Sequence, residues 1–296
     1  MDTARRLNRG IVKRFLLSLV LLISLFIAFT SVWAASIFGS IANRLHSAGW
    51  SAASADEIMQ PNESVTFEAS YFIFKLGSVT FQFLGSCEFN GKPAYHIRAS
   101  IDSYSGIPFV NFHGVYETYA DTSTLTCLST SNDQMDGKDW IHTSYVLNYA
   151  GKNLVWQQSR EGQVMKTVDL PLDTTYTDGL SFFYFVRRAC LNAGGAPRTL
   201  TVPIISDTNR STVELTIDEA REPCEVTAYD FPIEAERLSG HINFKGTFGV
   251  TGDFTGWISD DPAEVPLRAD LKVLIGSIGV KLKEIRREGW VPPRAE

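Results

Sequence analysis

The sequence lacks the short motifs that mark many catalytic and nucleotide-binding sites. It contains no G-x-S-x-G nucleophile elbow, no P-loop and no G-x-G-x-x-G turn. Its five histidines include no pair at a metal-binding spacing such as H-x-x-x-H. It also has no internal repeat and no low-complexity segment, so a repeat array is excluded. We therefore expect no catalytic residues, no metal ligands and no cofactor to be identifiable from motifs alone.

Basic residues are scarce in most of the chain. The net charge is −6 overall, and five basic groups with one acid lie within residues 1–34. Without that segment, 22 basic and 32 acidic residues leave a net charge of −10. No basic stripe is available to neutralise phosphates, which argues against nucleic acid as a partner.

A long apolar run is confined to the N-terminus. Residues 15–29 read FLLSLVLLISLFIAF, basic residues precede them, and Val32-Trp33-Ala34 has acceptable residues for signal-peptidase cleavage. The run is also about as long as the ~20 residues that span a bilayer, so residues 1–35 are either a signal peptide or a membrane anchor. No cysteine follows closely, which argues against a lipoprotein anchor. In both cases we expect an exported protein, in the periplasm or on the periplasmic face of a bacterial membrane.

Cysteine is sparse as well, with four residues at wide and irregular spacing that is unlike a metal site. In an oxidising compartment they could form two disulfides, with three possible connectivities. Four buried thiols are the alternative, and the sequence does not decide between them. The four are Cys87, Cys127, Cys190 and Cys224.

Period-two alternation dominates residues 61–285 and predicts an antiparallel β domain. The pattern is clearest at Leu267–Ile275 and Ile278–Leu282, which Gly276-Ser277 joins as a hairpin. Asn90-Gly91 is a strong hairpin turn signal, and Leu76-Gly77 is read as another turn. Further strands are predicted at Glu225–Phe231, His241–Thr247 and elsewhere.

One helix is predicted in this region, because Leu180, Phe183, Tyr184 and Arg187 recur at helical spacing after a capping Thr177 or Asp178. The predicted fold is mainly β: a curved antiparallel sheet or partly open β-barrel with one covering helix, preceded by an N-terminal hydrophobic helix. Residues 36–60 are interpreted as a linker and residues 286–296 as a tail.

The order of several segments resembles the bacterial exported family called domain of unknown function 3108. The segments are a Gly91–Ile97 hairpin start, Tyr116–Asp121, Thr177–Arg187 and Gly256–Asp261 followed by Val265-Pro266-Leu267. The family-like residues are Asp178, Ser181, Arg187, Trp257, Ser259, Asp260, Asp261 and Pro266. The resemblance implies a curved antiparallel sheet in the cell envelope, and it implies no reaction.

Candidate chemistry within the domain is limited. Asp260-Asp261 is a carboxylate pair, but the side chains of adjacent residues point in different directions and do not converge on one proton. Because the pair stands directly before Pro262, it fits a turn better, in which the carboxylates accept hydrogen bonds from local backbone N–H groups. Arg187 could pair with one of them or with Asp270. His96 lies in a predicted strand and could line the interior.

Shape provides the main functional hypothesis. Aromatic side chains on the strands and the helix could enclose an apolar cavity, or could simply fill the core. The expected function is non-enzymatic binding or carriage of a lipid or other apolar ligand. A membrane-anchored structural or interaction module, and a hydrolase with an unrecognised site around His96 or His241, are the alternatives. The possible cavity-lining residues are Phe67, Tyr71, Phe81, Phe83, His96, Phe183 and Tyr184.

Overall fold

The computed structural model describes residues 57–106, 111–136, 138–243, 252–273 and 276–296. The predicted signal or anchor, most of the predicted linker, and Ile275 of the final hairpin lie outside these residues. Among the residues described, no helix has both the length and the apolar composition needed to cross a membrane.

In the described ranges, fourteen β-strands form one antiparallel sheet. Its order is β8-β7-β6-β5-β4-β3-β2-β1-β14-β13-β12-β11-β10-β9. Strands that follow each other in the sequence therefore pair, except β8 and β9, which form the two edges, and β1 also pairs with β14. The strands are β1 (Ser64–Tyr71), β2 (Phe74–Phe89), β3 (Lys92–Ser103), β4 (His113–Asp121), β5 (Cys127–Asp136), β6 (Asp139–Asn148), β7 (Asn153–Arg160), β8 (Gln163–Pro171), β9 (Arg198–Ser206), β10 (Asn209–Cys224), β11 (Ile233–Ile242), β12 (Gly252–Ser259), β13 (Pro266–Lys272) and β14 (Ser277–Arg286).

The predicted helix is present as α1 (Gly179–Ala193), which lies in the chain between the edge strands β8 and β9. Asp178 is its N-cap, and the Asp178 and Ser181 side chains each accept a backbone N–H from the other residue. Gly194 ends it with a left-handed backbone (φ 58°). The mainly β fold with one covering helix is therefore confirmed.

The segment before α1 lies between two strands that are far apart in the sheet order. Cys127 of β5 donates its backbone N–H to the Tyr176 carbonyl (2.7 Å), and Ile205 of β9 donates to the Thr177 carbonyl (2.8 Å). Thr177 in turn donates to the Pro203 carbonyl (2.9 Å). These bonds satisfy backbone groups that an edge strand such as β9 would otherwise leave open.

The Asn90-Gly91 hairpin is confirmed, because both residues have positive φ (50° and 76°) as a type I′ turn requires. The prediction of a turn at Leu76-Gly77 is wrong, because β2 runs through both residues and the chain reverses at Phe72-Ile73 instead. Gly77 is needed there because a Cβ would lie 2.2 Å from the Asp102 carbonyl oxygen of β3. A close approach between strands, rather than a turn, explains this glycine.

The predicted strand at Glu225–Phe231 is also wrong, and β11 begins later, at Ile233. The Thr227 and Ala228 N–H groups both donate to the Leu282 carbonyl, and apolar side chains of this segment pack on the core. An irregular segment that buries several apolar side chains can imitate a strand pattern. Of the predicted His241–Thr247 strand, His241 and Ile242 are the last residues of β11, and residues 244–247 lie outside the described part.

The alternating apolar residues of the strands form the core against α1. Phe83, Ile97 and Ala99 of β2 and β3 are buried with Tyr184 and Ala189 of the helix. A second buried cluster joins β1, β11, β13 and β14, and a third joins β5 to β7 and the segment before α1. All four cysteines are free thiols, so the structure contains no disulfide between them; Cys87 is exposed and the other three are buried.

Candidate functional site

An apolar cavity of about 340 Å³ lies between α1 and the sheet. Its lining comes from β1, β2, the β11–β14 strands and one side of the helix. The lining residues are Phe67, Val79, Phe81, Gly179, Phe182, Phe183, Val186, Leu238, Ile242, Phe254, Gly256, Trp257, Ile258, Pro266, Arg268, Ala269, Leu271 and Val280. The volume falls at the lower end of the ~300–1,000 Å³ typical of small-molecule sites.

Three phenylalanines fix one wall of this cavity. Phe81 and Phe183 stack with ring centroids 4.1 Å apart and ring planes 5° from parallel. Phe67 meets both rings edge-on, at 6.1 and 6.2 Å. Offset and edge-on ring pairs hold each other in place, so this wall is pre-formed by helix and sheet together.

Of the described residues that line this apolar cavity, Arg268 alone carries a charge. Its guanidinium lies 4.7 Å from the Trp257 ring centroid, and it donates to the Asp270 carboxylate (2.6 Å). The Trp257 indole N–H donates to Glu222. Because its partners lie on neighbouring strand positions, the Arg268 charge is already compensated without a ligand.

A second cavity of about 290 Å³ adjoins the first and is lined by polar as well as apolar groups. The two cavities share Val79, Phe81, Gly179 and Ile242. Its polar lining residues are Tyr116, Thr130, Asn132, Gln134, Tyr145, Asp178, Ser206 and Asp207. Burial raises the pKa of Tyr116, whose hydroxyl accepts from the Gln134 amide (2.9 Å). Neither lysine nor arginine is among the described lining residues of this second cavity.

A buried ion-pair network holds α1 against the turn between β12 and β13. Arg187 is fully buried and donates to both Glu63 oxygens (2.5 and 3.1 Å). It also donates to the carbonyls of Ala263 (2.9 Å) and Glu264 (3.0 Å). Arg287 donates to Glu63 from the other side. The predicted pairing of Arg187 with Asp260, Asp261 or Asp270 is therefore not found among these contacts.

The Asp260-Asp261 pair forms a turn, and its carboxylates diverge. Asp261 Oδ1 accepts from the backbone N–H groups of Ala263 (2.9 Å) and Glu264 (3.2 Å) and from the Ser259 hydroxyl (3.1 Å). Asp261 Oδ2 accepts from the Trp290 indole (2.8 Å). Asp260 instead pairs with Arg221 (2.9 Å). These bonds make the pair a structural element of the turn.

Next to this turn, one buried thiol and two buried carboxyl groups lie close together. Cys190 of α1, Glu236 of β11 and Glu264 each offer one ligand atom, and these atoms lie within 4.8 Å of one another. Burial and nearby carboxylates raise the pKa of Glu264 to about 9, and burial also raises the pKa of Glu236 and of the Cys190 thiol. Arg221 donates to Glu236 (3.1 Å).

The structure brings together some of the residues proposed from the sequence. Phe67, Phe81 and Phe183 line the apolar cavity, as does Pro266 of the family-like set. Phe83 and Tyr184 lie in the core cluster instead, with ring centroids 6.0 Å apart. Their role in ligand binding stays a prediction.

Tyr71 and His96 lie outside both described cavities and outside this core cluster as well. Tyr71 packs edge-on against Phe72 at the β1–β2 turn. His96 stacks on Tyr119 and approaches Glu117 (3.2 Å), on the strand face opposite to buried Tyr95 and Ile97. His96 therefore does not line the interior.

Several residues of the site were not predicted. Glu63, Glu264, Phe254 and Leu271 gave no motif signal, because their roles depend on strands that meet only in the folded chain. The positive φ of Glu264 (46°), unusual for a residue with a side chain, is visible only in the structure. Leu271 did belong to the predicted buried face of the last hairpin, which was the available clue.

A solved structure of similar fold supports this description of the sheet. A β-barrel-like protein of domain of unknown function DUF1849 from Brucella abortus has a TM-score of 0.50 and 9% identity, covering 77% of this chain and 98% of that chain. At this identity the likeness shows the fold alone. A candidate exported protein of Bacteroides fragilis with a YmcC-like fold has a TM-score of 0.33 at 8% identity, over 78% of this chain and 98% of that one.

A search of the curated proteins finds no significant match to this chain. The family model described as "Protein of unknown function (DUF3108)" matches residues 66–283, from β1 to β14. The match confirms the resemblance seen in the helix and in the Trp257–Pro266 segment. Since it spans well over half of the sequence, the protein belongs to the DUF3108 family of proteins of unknown function.

Proposed function

We propose that this protein is a non-enzymatic binding or carrier protein for a lipid or similar amphipathic ligand in the bacterial cell envelope. The observation that carries the proposal is the 340 Å³ apolar cavity between α1 and the sheet. Its aromatic wall is already ordered, so a ligand would not have to reorganise it.

The cavity is large enough for part of an acyl chain to contribute appreciable affinity. Each buried methylene contributes roughly 0.8 kcal/mol, so about six methylenes would give roughly 5 kcal/mol before the loss of ligand freedom is subtracted. Each added methylene should therefore tighten binding about fourfold until the cavity is full. A chain-length series measures this directly.

The adjoining polar cavity supports an amphipathic ligand rather than a pure hydrocarbon. Amide, hydroxyl and carboxyl groups line it, and Asn132, Gln134 and Ser206 can exchange hydrogen bonds with a polar group. Because its described lining has no lysine or arginine, an uncharged or cationic polar end fits better than a phosphate.

Export is part of the proposal. The basic leader, the apolar run of residues 15–29 and the acidic remainder support it. The family resemblance points the same way. We propose the periplasm or the periplasmic face of a membrane as the site of action.

The first experiment is native mass spectrometry of the full-length protein beside solvent extraction of the same preparation. A stoichiometric co-purifying lipid would support the proposal and identify the ligand class. A clean apo mass together with an empty extract would contradict it. Aliphatic alcohols of increasing length are then titrated into delipidated protein, and affinity should rise about fourfold per methylene to a plateau.

A matched pair of variants ties binding to this cavity. Ala269→Phe places a ring in the apolar lining, whereas Ala220→Phe adds the same ring at an exposed position of β10. We expect Ala269→Phe to weaken alcohol binding at least tenfold, and Ala220→Phe to leave it unchanged. Equal binding by both variants would place the ligand elsewhere.

An interaction module is the second candidate function, and the β1–β2 turn favours it. Phe72, Ile73 and Phe74 are 76%, 88% and 64% exposed, an apolar group that soluble proteins rarely present without a use. A photocrosslinking residue at Ile73 in living cells should give a discrete protein adduct if this tip binds a partner. Adducts no different from those at exposed Glu214 would argue against this role.

A further inference from the structure

The buried cluster of Cys190, Glu236 and Glu264 is assembled from three separate parts of the fold. Cys190 comes from the last turns of α1, Glu236 from β11, and Glu264 from the turn between β12 and β13. Their relative exposures are 1%, 2% and 7%. A thiol and two carboxyl groups are thus held together away from solvent, which is costly unless something compensates their charge.

Glu264 is the residue that most clearly lacks a partner. The residue is more than nine-tenths buried, and its Oε2 atom has no hydrogen-bond partner among the residues that the structure describes. Its backbone is fixed, because its N–H donates to the Asp261 carbonyl (3.0 Å) and its carbonyl accepts from Arg187 (3.0 Å). The left-handed backbone at this residue is therefore held by the surrounding bonds, and it directs the carboxyl group into the cluster.

The nearby arginines do not provide the missing partner for this oxygen. Arg221 donates to one oxygen of Glu236 and also pairs with Asp260. Arg187 directs its donors to Glu63 and to backbone carbonyls. Among these contacts, the Glu264 side chain receives no donor.

We propose that Cys190, Glu236 and Glu264 bind one divalent transition-metal ion of the zinc class. A thiolate with two carboxylates is a mixed soft and hard ligand set, which suits Zn²⁺ or Co²⁺ and not the all-oxygen preference of Mg²⁺ and Ca²⁺. Three protein ligands are sufficient for such an ion when water fills a fourth position.

The ion would compensate the three acidic groups, and their protons would be released on binding. It would also link α1 to β11 and to the β12–β13 turn, beside the Arg187 network. This inference does not depend on the lipid-binding proposal, because the ligand atoms are not among the lining residues of either cavity.

The test uses the full-length protein, stripped with a chelator and then equilibrated with Zn²⁺ or Co²⁺. We expect one metal per chain by elemental analysis after desalting. With Co²⁺ we expect a near-ultraviolet thiolate-to-metal band, which only a cysteine ligand produces. Absence of bound metal at micromolar free Zn²⁺, or Co²⁺ binding without this band, would overturn the proposal.

Variants identify the ligands. Cys190→Ala and Glu264→Gln should each weaken Zn²⁺ binding more than 100-fold, since loss of an outer-shell partner alone costs about 10–100-fold. Cys224→Ala removes another buried thiol from a different cluster and should leave binding unchanged. Unchanged affinity in both Cys190→Ala and Glu264→Gln would refute the site. If Cys190→Ala fails to fold, Glu264→Gln and the wild-type Co²⁺ spectrum still decide.

Discussion

Replacing Arg187 by methionine tests whether the buried ion-pair network holds the helix in place. The guanidinium is fully buried and makes four hydrogen bonds, two to Glu63 and two to the carbonyls of Ala263 and Glu264. Methionine fills a similar volume without donors. The substitution therefore leaves two buried carbonyls without this donor and removes one of the two arginines from Glu63.

The expected loss follows from what is left uncompensated. Removing one partner from a buried ion pair typically destabilises a protein by about 3–5 kcal/mol. Arg287 still donates to Glu63, so we expect the lower end, about 3 kcal/mol. For a domain of this size, 1 kcal/mol corresponds to roughly 2–4 °C in Tm, so the expected shift is roughly 6–12 °C.

The assay is differential scanning calorimetry beside urea unfolding, with Arg98→Met as the matched control. Arg98 pairs with Glu117 at 2.5 Å, but its side chain is 41% exposed, and such a pair contributes within about 1 kcal/mol. A Tm shift for Arg187→Met no larger than that for Arg98→Met would refute the reasoning. The double variant with Glu63→Gln should lose less than the sum of the two single changes, because the residues share one network.

Two further substitutions test the local explanations of the fold. Gly77→Ala should destabilise the protein by roughly 1–3 kcal/mol, because the added Cβ would collide with the Asp102 carbonyl. Gly179→Ala should be tolerated, because the space around its Cβ is open. Urea unfolding of both variants measures the difference. Asp178→Ala removes the oxygen that caps α1 and should lose about 1 kcal/mol of stability in the same assay. Asp178→Asn keeps a side-chain oxygen at the N-cap and should retain most of this stabilisation. Equal losses within either pair would contradict the assigned cause.

Local chemistry explains the parts of the fold that could be predicted from the sequence. Asn90-Gly91 specifies its own turn, and Asp178 with Ser181 specifies the start of α1. Period-two alternation located most strands because one face of each is buried against the helix or the core. These signals need no knowledge of the rest of the chain.

The errors occur where the same local signal has two physical causes. A glycine can serve a turn or a close approach between strands, and at Gly77 the second applies. Alternating apolar residues can form a strand or an irregular segment packed on a core, and Glu225–Phe231 is the second kind. The neighbouring strands decide between these causes, and a single sequence does not name its neighbours.

The candidate site depends still more on long-range pairing. Tyr71 of β1 lies opposite Ile278 of β14, a separation of about two hundred residues with no local signal. The pairing of β1 with β14 places Phe67 opposite Leu282 and the next inward position, Ala69, opposite Val280. Phe67 and Val280 both line the apolar cavity. Likewise Cys190, Glu236 and Glu264 are unremarkable apart and meet only because α1, β11 and the β12–β13 turn pack together.

The family-like residues separate into two physical roles. Asp178, Arg187 and Asp261 form the frame, because they cap the helix, fix it to the sheet and close the turn. Trp257 and Pro266 line the apolar cavity that this frame encloses. Since one wall of the cavity is the helix, loosening the frame should enlarge or collapse the cavity. Arg187→Met should therefore weaken alcohol binding as well as lower Tm. Arg98→Met should leave alcohol binding unchanged and lower Tm much less than Arg187→Met does.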